Sequence, residues 1–274
     1  MLKSILVVLD ASEYSAAAAE LARQWARQYK ASLVALGIIQ APAPEPVPLG
    51  ASYYQQLAEK EQLAEARQRV EQCLNQFARS CGDDGLPCKL LTVVGRPYEQ
   101  ILWEAQRHDL IVLGRQTYFD HESHERAGET VRALLKNAPR PVVTVPRALG
   151  SGSAVAVAYD GSLQAARALQ AFQALGLAGS QPVEVLTANS SSAEAARRAC
   201  LAVDYLSSHQ IEARPHPLVS DGSPAELILE QVRRLNARLL VMGAYGQPTL
   251  REFVLGSVTR TVIQEASVPL FLYH

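Results

Sequence analysis

Short apolar runs alternate with amphipathic stretches along the whole chain. Residues 5–9, 110–113, 142–145, 155–158, 239–242 and 270–273 are nearly continuous in Val, Ile, Leu, Ala and Phe. Runs of this length without polar alternation fit strands buried on both faces. Between them lie alanine-rich stretches of helical period at 14–29 and 163–176. A longer charged helix spans roughly 53–80, and another helical stretch follows at 257–266. Strands that alternate with helices predict an α/β chain built on parallel sheets with helices on both sides.

The pattern occurs twice. Ile5-Leu6-Val7-Val8-Leu9-Asp10-Ala11-Ser12 matches Val155-Ala156-Val157-Ala158-Tyr159-Asp160-Gly161-Ser162. Val94-Gly95-Arg96-Pro97 matches Asp221-Gly222-Ser223-Pro224, each with a proline early in a helix, where its missing N–H costs little. The runs opened by Asp109 and Arg238 match and both end in glycine, at Gly114 and Gly243. The runs after Arg140 and Val268 match as well. Four matches in one order indicate a duplication.

The copies stand 150 residues apart at the first match and 127 to 129 at the later ones. The first copy therefore carries extra residues, which fall in a proline-rich stretch at 40–50 and in the long charged helix. The glycine- and serine-rich junction at 146–153 predicts domains at 1–147 and 153–274, each a doubly wound, Rossmann-like parallel sheet. The last strand of each copy ends a sheet. Pairing the two across a pseudo-twofold axis, as an intramolecular pseudo-dimer, would cover both edges; a homodimer is the intermolecular version.

Composition narrows the classes. Of 274 residues, 48% are hydrophobic and 19% charged, which is a core-forming balance. A net charge of −1 supplies no basic field for nucleic acid, and no apolar run approaches the roughly 20 residues of a membrane span. The N-terminus reads as a strand that starts at once and not as a signal peptide, so a cytoplasmic location is expected. Cys73, Cys81, Cys88 and Cys200 fit neither a zinc spacing nor a redox pair. Free thiols are the default, and a metal clip among the first three is the alternative.

Candidate chemistry lies after the strand at 239–242. Gly243-Ala244-Tyr245-Gly246 is followed, nine residues on, by Gly256-Ser257, which opens a helix. Glycines spaced between a strand and a helix N-terminus let backbone N–H groups approach an anion, and the helix end adds partial positive charge. Asp160 and the glycines would meet at the carboxyl edge of the sheet, where strand order reverses. No Gly-Lys-Ser/Thr is present, so this is not a Walker loop.

This second copy resembles the ATP-binding branch of the universal stress protein family. Gly243, Gly246, Gly256 and Ser257 match every element of that family's Gly-x2-Gly-x9-Gly-Ser/Thr motif, and the resemblance extends over nearly the whole chain as a tandem pair. The resemblance implies an ATP site, or one for ADP or AMP. Ala158 would line the adenine pocket, Asp160 would face the nucleoside, and Ala188 would offer its backbone to the adenine edge. Met242 and Gly243 would pass beneath the ribose, and Tyr245 and Gly246 would flank the phosphates. Gly256, Ser257, Val258 and Thr259 would receive the phosphates by N–H and hydroxyl groups. Any Mg²⁺ would arrive on the phosphates. The implied role is regulatory, in a stress response and toward a protein partner. Slow phosphohydrolysis and a nucleotide-free interaction scaffold are the alternatives.

The first copy departs from that motif. Gly114 remains, but Thr117 stands at the second glycine. The third glycine, Gly128, is displaced by one residue and followed by Glu129. A carboxylate about 4 Å from a phosphate charge costs on the order of 1–4 kcal/mol, and Asp120, Glu122 and Glu125 add to the field. The first copy is therefore expected not to hold ATP in the same manner. His121 and His124 have the spacing of a metal pair, with a solvated loop as the competing reading.

Overall fold

The apolar runs become the strands of one continuous sheet. The computed structural model describes residues 1–40, 53–119, 129–219, 221–244 and 256–274. The proline-rich stretch at 41–50, the His121/His124 pair, and Tyr245 and Gly246 lie outside these residues. The first half runs β1 (Ser4–Leu9), α1 (Glu13–Tyr29), β2 (Ser32–Ile39), α2 (Tyr53–Asp83), β3 (Cys88–Val94), α3 (Pro97–Ala105), β4 (Leu110–Gly114), α4 (Glu129–Asn137) and β5 (Val142–Val145). The second half repeats this order as β6 (Ala154–Ala158), α5 (Leu163–Leu175), β7 (Val183–Asn189), α6 (Ser192–Ser208), β8 (Ala213–Val219), α7 (Pro224–Arg234), β9 (Ala237–Gly243), α8 (Ser257–Glu265) and β10 (Leu270–Tyr273).

Strand order is β3-β2-β1-β4-β5-β10-β9-β6-β7-β8. Within each half every pairing is parallel. The halves meet where β5 and β10 pair antiparallel, with Leu270 opposite Thr144 and Leu272 opposite Val142. This is the edge pairing expected of the two terminal strands. The outer edge strand β8 carries Pro215 and Pro217, which lack the N–H another strand would need and so blunt that edge.

Each face of the sheet carries its own apolar core, and both cores cross the seam between the halves. One face packs beneath α1, α2, α5 and α6, with Trp25, Phe77, Phe172 and Leu206 among its members. The other lies beneath α3, α4, α7 and α8. Phe271 of β10 is wholly buried at the seam and meets Phe172 edge-on, with ring centroids 6.2 Å apart at 77°. Such a pair adds about 1 kcal/mol beyond its buried area. Polar contacts also join the halves: the Met1 ammonium donates to the Ala174 carbonyl, Leu2 N–H donates to the Leu175 carbonyl at 2.9 Å, and Arg115 donates to the Ala266 carbonyl that ends α8.

Helix ends follow the sequence signals. Ser12 and Ser162 cap α1 and α5, their hydroxyls accepting from Ser15 and Ala165 N–H. The Asp-x-Ser signature thus splits into a capping serine and an aspartate left at the strand end. Pro224 opens α7, with Ser223 as its cap. Among the described residues no helix is long and apolar enough to cross a membrane.

Candidate functional site

In each half the strand order reverses between the first and fourth strands, β1 and β4 or β6 and β9. In the second half a cavity of about 200 Å³ opens there, at the carboxyl edge. Strand ends supply Ala158, Tyr159, Asp160, Leu186, Ala188, Met242 and Gly243. Helix starts supply Ser162, Gln164, Ala165, Pro224, Ile228, Val258 and Thr259. Seven residues expected from sequence are thereby brought together: Ala158, Asp160, Ala188, Met242, Gly243, Val258 and Thr259. Sequence reasoning missed the opposite wall, Pro224 and Ile228. The proline that marked the start of α7 was the available signal.

The cavity has an apolar side and a polar rim. Ala158, Leu186, Ile228, Met242 and Val258 suit a flat apolar ring. β6 leaves β7 after the bond from Tyr159 N–H to the Leu186 carbonyl, so the β7 backbone at Ala188 pairs only with β8, opposite Leu218. Asp160 is exposed; one of its oxygens accepts from Ser162 N–H at 2.9 Å, and the other has no partner among the described residues. Burial and the nearby Asp160 carboxylate push the Tyr159 phenol above its ordinary range, keeping it protonated.

Gly256 is the N-cap of α8 and supplies no side-chain cap. The N–H groups of Ser257, Val258 and Thr259 have no acceptor among the described residues, and no acidic residue stands in that first turn. Ser257 is exposed and lies at this helix start beside the cavity, while Thr259 is 6% exposed and lines it. Three such groups with partial positive charge favour an anion.

The glycines divide into two kinds. A Cβ on Gly243 would lie 2.6 Å from Ala165 N and from Gln164 C, both backbone atoms of α5. A Cβ on Gly114 would lie 2.6 Å from Tyr14 Cβ in the corresponding first turn of α1. Both strands end so close to a helix that only glycine fits, which explains why Gly114 persists where the rest of its motif has changed. Gly256 differs. Its φ is −55° and a Cβ there would meet nothing nearer than Thr259 Oγ1 at 4.0 Å. Within the described residues, neither backbone conformation nor packing demands a glycine at 256.

The matching place in the first half is partly taken by the chain itself, and the space left beside it opens toward α2. Asp10 Oδ1 accepts from Ser12 N–H at 3.0 Å and Ser12 hydroxyl at 2.6 Å, and Oδ2 accepts from Tyr118 N–H at 2.7 Å. Phe119, next along, packs against the apolar core of that face, whose members there include Val8, Leu36 and Ile38, and shares a cavity wall with Ile38. These residues correspond through the sheet register to Ala158, Leu186 and Ala188. Thr117 is buried, and its φ is not positive. Glu129 begins α4, where Ser257 begins α8. Sequence reasoning found the repulsive glutamate and missed the occlusion. The signal was the aromatic pair Tyr118-Phe119, which has no counterpart in the second half.

Among the described residues no group of three or more His, Cys, Asp or Glu is placed to hold a metal ion, and all four cysteines are free.

The sequence model of the universal stress protein family matches residues 1–146 and again 153–274. A curated relative, a universal stress protein of Synechocystis sp., is 24% identical over 168 residues; the match covers 61% of this chain and 58% of that protein. A crystal structure of a universal stress protein from Archaeoglobus fulgidus superposes with a TM-score of 0.70 at 20% identity, covering 98% of this chain and 95% of the other, so the fold is shared along the whole length. Another universal stress protein from Archaeoglobus fulgidus, solved in complex with dAMP, is 26% identical over 44% of this chain and 96% of its own, with a TM-score of 0.36.

Proposed function

The chain belongs to the universal stress protein family, and from that premise we propose that its second half holds one adenine nucleotide while its first half holds none. One contrast carries this reading: among the described residues Asp160 keeps an open oxygen beside a cavity with an apolar side, whereas both oxygens of Asp10, its twin, are bonded and Phe119 packs against the apolar core beside it.

The adenine ring enters between Ala158, Leu186, Ala188, Ile228 and Val258, and the β7 backbone at Ala188 reads its edge. The ribose hydroxyls donate to Asp160. The phosphates pass Gly243 and reach the start of α8, where Ser257, Val258 and Thr259 donate by N–H and by hydroxyl. Tyr245 and Gly246 would flank the phosphates on the loop between. The groups on the cavity wall are acceptors, backbone donors and apolar surface, which suits holding a nucleotide more than cleaving it. Mg²⁺ would be carried by the phosphates. We read the role as regulatory, in the cytoplasm, with occupancy sensed by a protein partner.

Calorimetric titration of ATP tests the assignment. Asp160→Ala removes the acceptor for the ribose and is expected to weaken binding about tenfold, the effect of losing one charge-assisted bond of about 1.4 kcal/mol. Asp10→Ala is expected to leave affinity unchanged and to lower stability, because three donors lose their acceptor. Equal affinity for Asp160→Ala and wild type would remove the site from the second half.

A further inference from the structure

Helix α2 has 31 residues, against 17 in its counterpart α6. Its length is a property of the first half alone. α2 sits tightly on β2, where a Cβ on Gly37 would come 2.5 Å from Val70 Cγ1. Toward α1 it stands off. A cavity of about 310 Å³ opens between α1, α2 and the end of β1, and an adjoining one of about 360 Å³ lies between α2 and the ends of β1 and β2, beside Asp10 and Tyr118. They share a wall made by Ala11, Ser12 and Arg69. The first reaches inward past Cys73 to buried Phe77, and the second reaches Ile38 and Phe119.

The charges around these cavities are settled, with one exception. Arg23 is held by Glu20 and Asp84. Asp10 has both oxygens occupied by Ser12 and Tyr118. The Cys73 thiol is half-buried, and burial pushes it above its ordinary range, so it stays neutral. Arg69 is half-buried, lies on the wall common to both cavities, and has neither a hydrogen bond nor an ion pair among the described residues. A partly desolvated guanidinium favours a bidentate anionic partner. Cavities of this size with partly apolar walls and one charged group left unpaired among the described residues are suited to small amphipathic ligands.

We propose that the first half binds an amphipathic monocarboxylate in the groove between α1 and α2, its chain lying over Cys73 and Phe77 and its carboxylate on Arg69. One cation matches one negative charge; a di- or trianion would bring surplus charge toward Asp10. The site is separate from the nucleotide cavity of the second half and does not depend on it.

Titration calorimetry on the full chain tests this with decanoate as the probe. Saturable binding of one decanoate per chain is expected, with decan-1-ol, its neutral analogue, at least tenfold weaker. Arg69→Gln breaks no contact among the described residues, so it keeps the melting temperature and is expected to weaken decanoate at least tenfold. Ala19→Trp, which fills the first cavity from α1, is expected to weaken it likewise. ATP affinity is expected to be the same in wild type and Arg69→Gln, which separates a failure here from a failure of the nucleotide site. Absence of saturable decanoate binding, or equal decanoate affinity in wild type and Arg69→Gln, would overturn the proposal.

Discussion

Gly243→Val is expected to destabilise the protein by at least about 3 kcal/mol, a large share of the total stability of a domain this size. The added side chain has no direction in which to yield. Its Cβ would fall 2.6 Å from backbone atoms of Gln164 and Ala165, and those atoms belong to the first turn of α5, which Ser162 caps and the core of that face holds. Moving α5 would separate Phe172 from Phe271 at the seam. Gly114→Val is expected to do the same in the first half, against Tyr14. Urea unfolding followed by circular dichroism measures both. Wild-type-like midpoints for the two variants would show that the strand ends are not packed as described. A practical consequence follows: loss of nucleotide binding in Gly243→Val would report lost packing and not a lost phosphate contact.

Gly256→Glu is expected to lower ATP affinity about 100-fold while leaving stability within about 0.5 kcal/mol of wild type. At 256 a side chain has room, and the backbone is regular. The substitution places a carboxylate at the N-cap of α8, beside the free N–H groups of Ser257, Val258 and Thr259. Each close carboxylate–phosphate pair costs on the order of 1–4 kcal/mol at surface-like dielectrics, and salt reduces it. The effect should therefore shrink at high ionic strength and be smaller for AMP than for ATP. Titration calorimetry at two salt concentrations, beside a thermal melt, checks all of this. Undiminished ATP affinity would mean that the phosphates do not reach α8. The same chemistry stands naturally at Glu129, which begins α4 in the half proposed to hold no nucleotide.

The two glycines show how far a sequence motif can be read. Spacing groups Gly243 and Gly256 as parts of one pattern. Spacing does not distinguish a glycine kept by a neighbouring helix from one that nothing among the described residues requires. That distinction depends on how closely two elements approach in space. The sheet was legible for a simpler reason. Its strands are continuous apolar runs, and the duplication shows in matched words such as Asp10-Ala11-Ser12 and Asp160-Gly161-Ser162. The antiparallel seam of β5 and β10 followed from the need to cover two edges. Occlusion of the first half was legible only in part. Glu129 signals repulsion directly, but Phe119 reaches the apolar core there because the next residue back, Tyr118, bonds Asp10, a contact across more than a hundred residues. The cavities beside α2 were not legible. They arise from how a long helix stands off its neighbour, and Arg69 reads in sequence as one charge among many.

The central claim, one nucleotide per chain and held by the second half, is tested most directly by binding stoichiometry. ATP titrated into the wild-type protein, Asp10→Ala and Asp160→Ala should give one site, one site of equal affinity, and one site about tenfold weaker. Two sites in the wild type, or a site weakened by Asp10→Ala and not by Asp160→Ala, would contradict it.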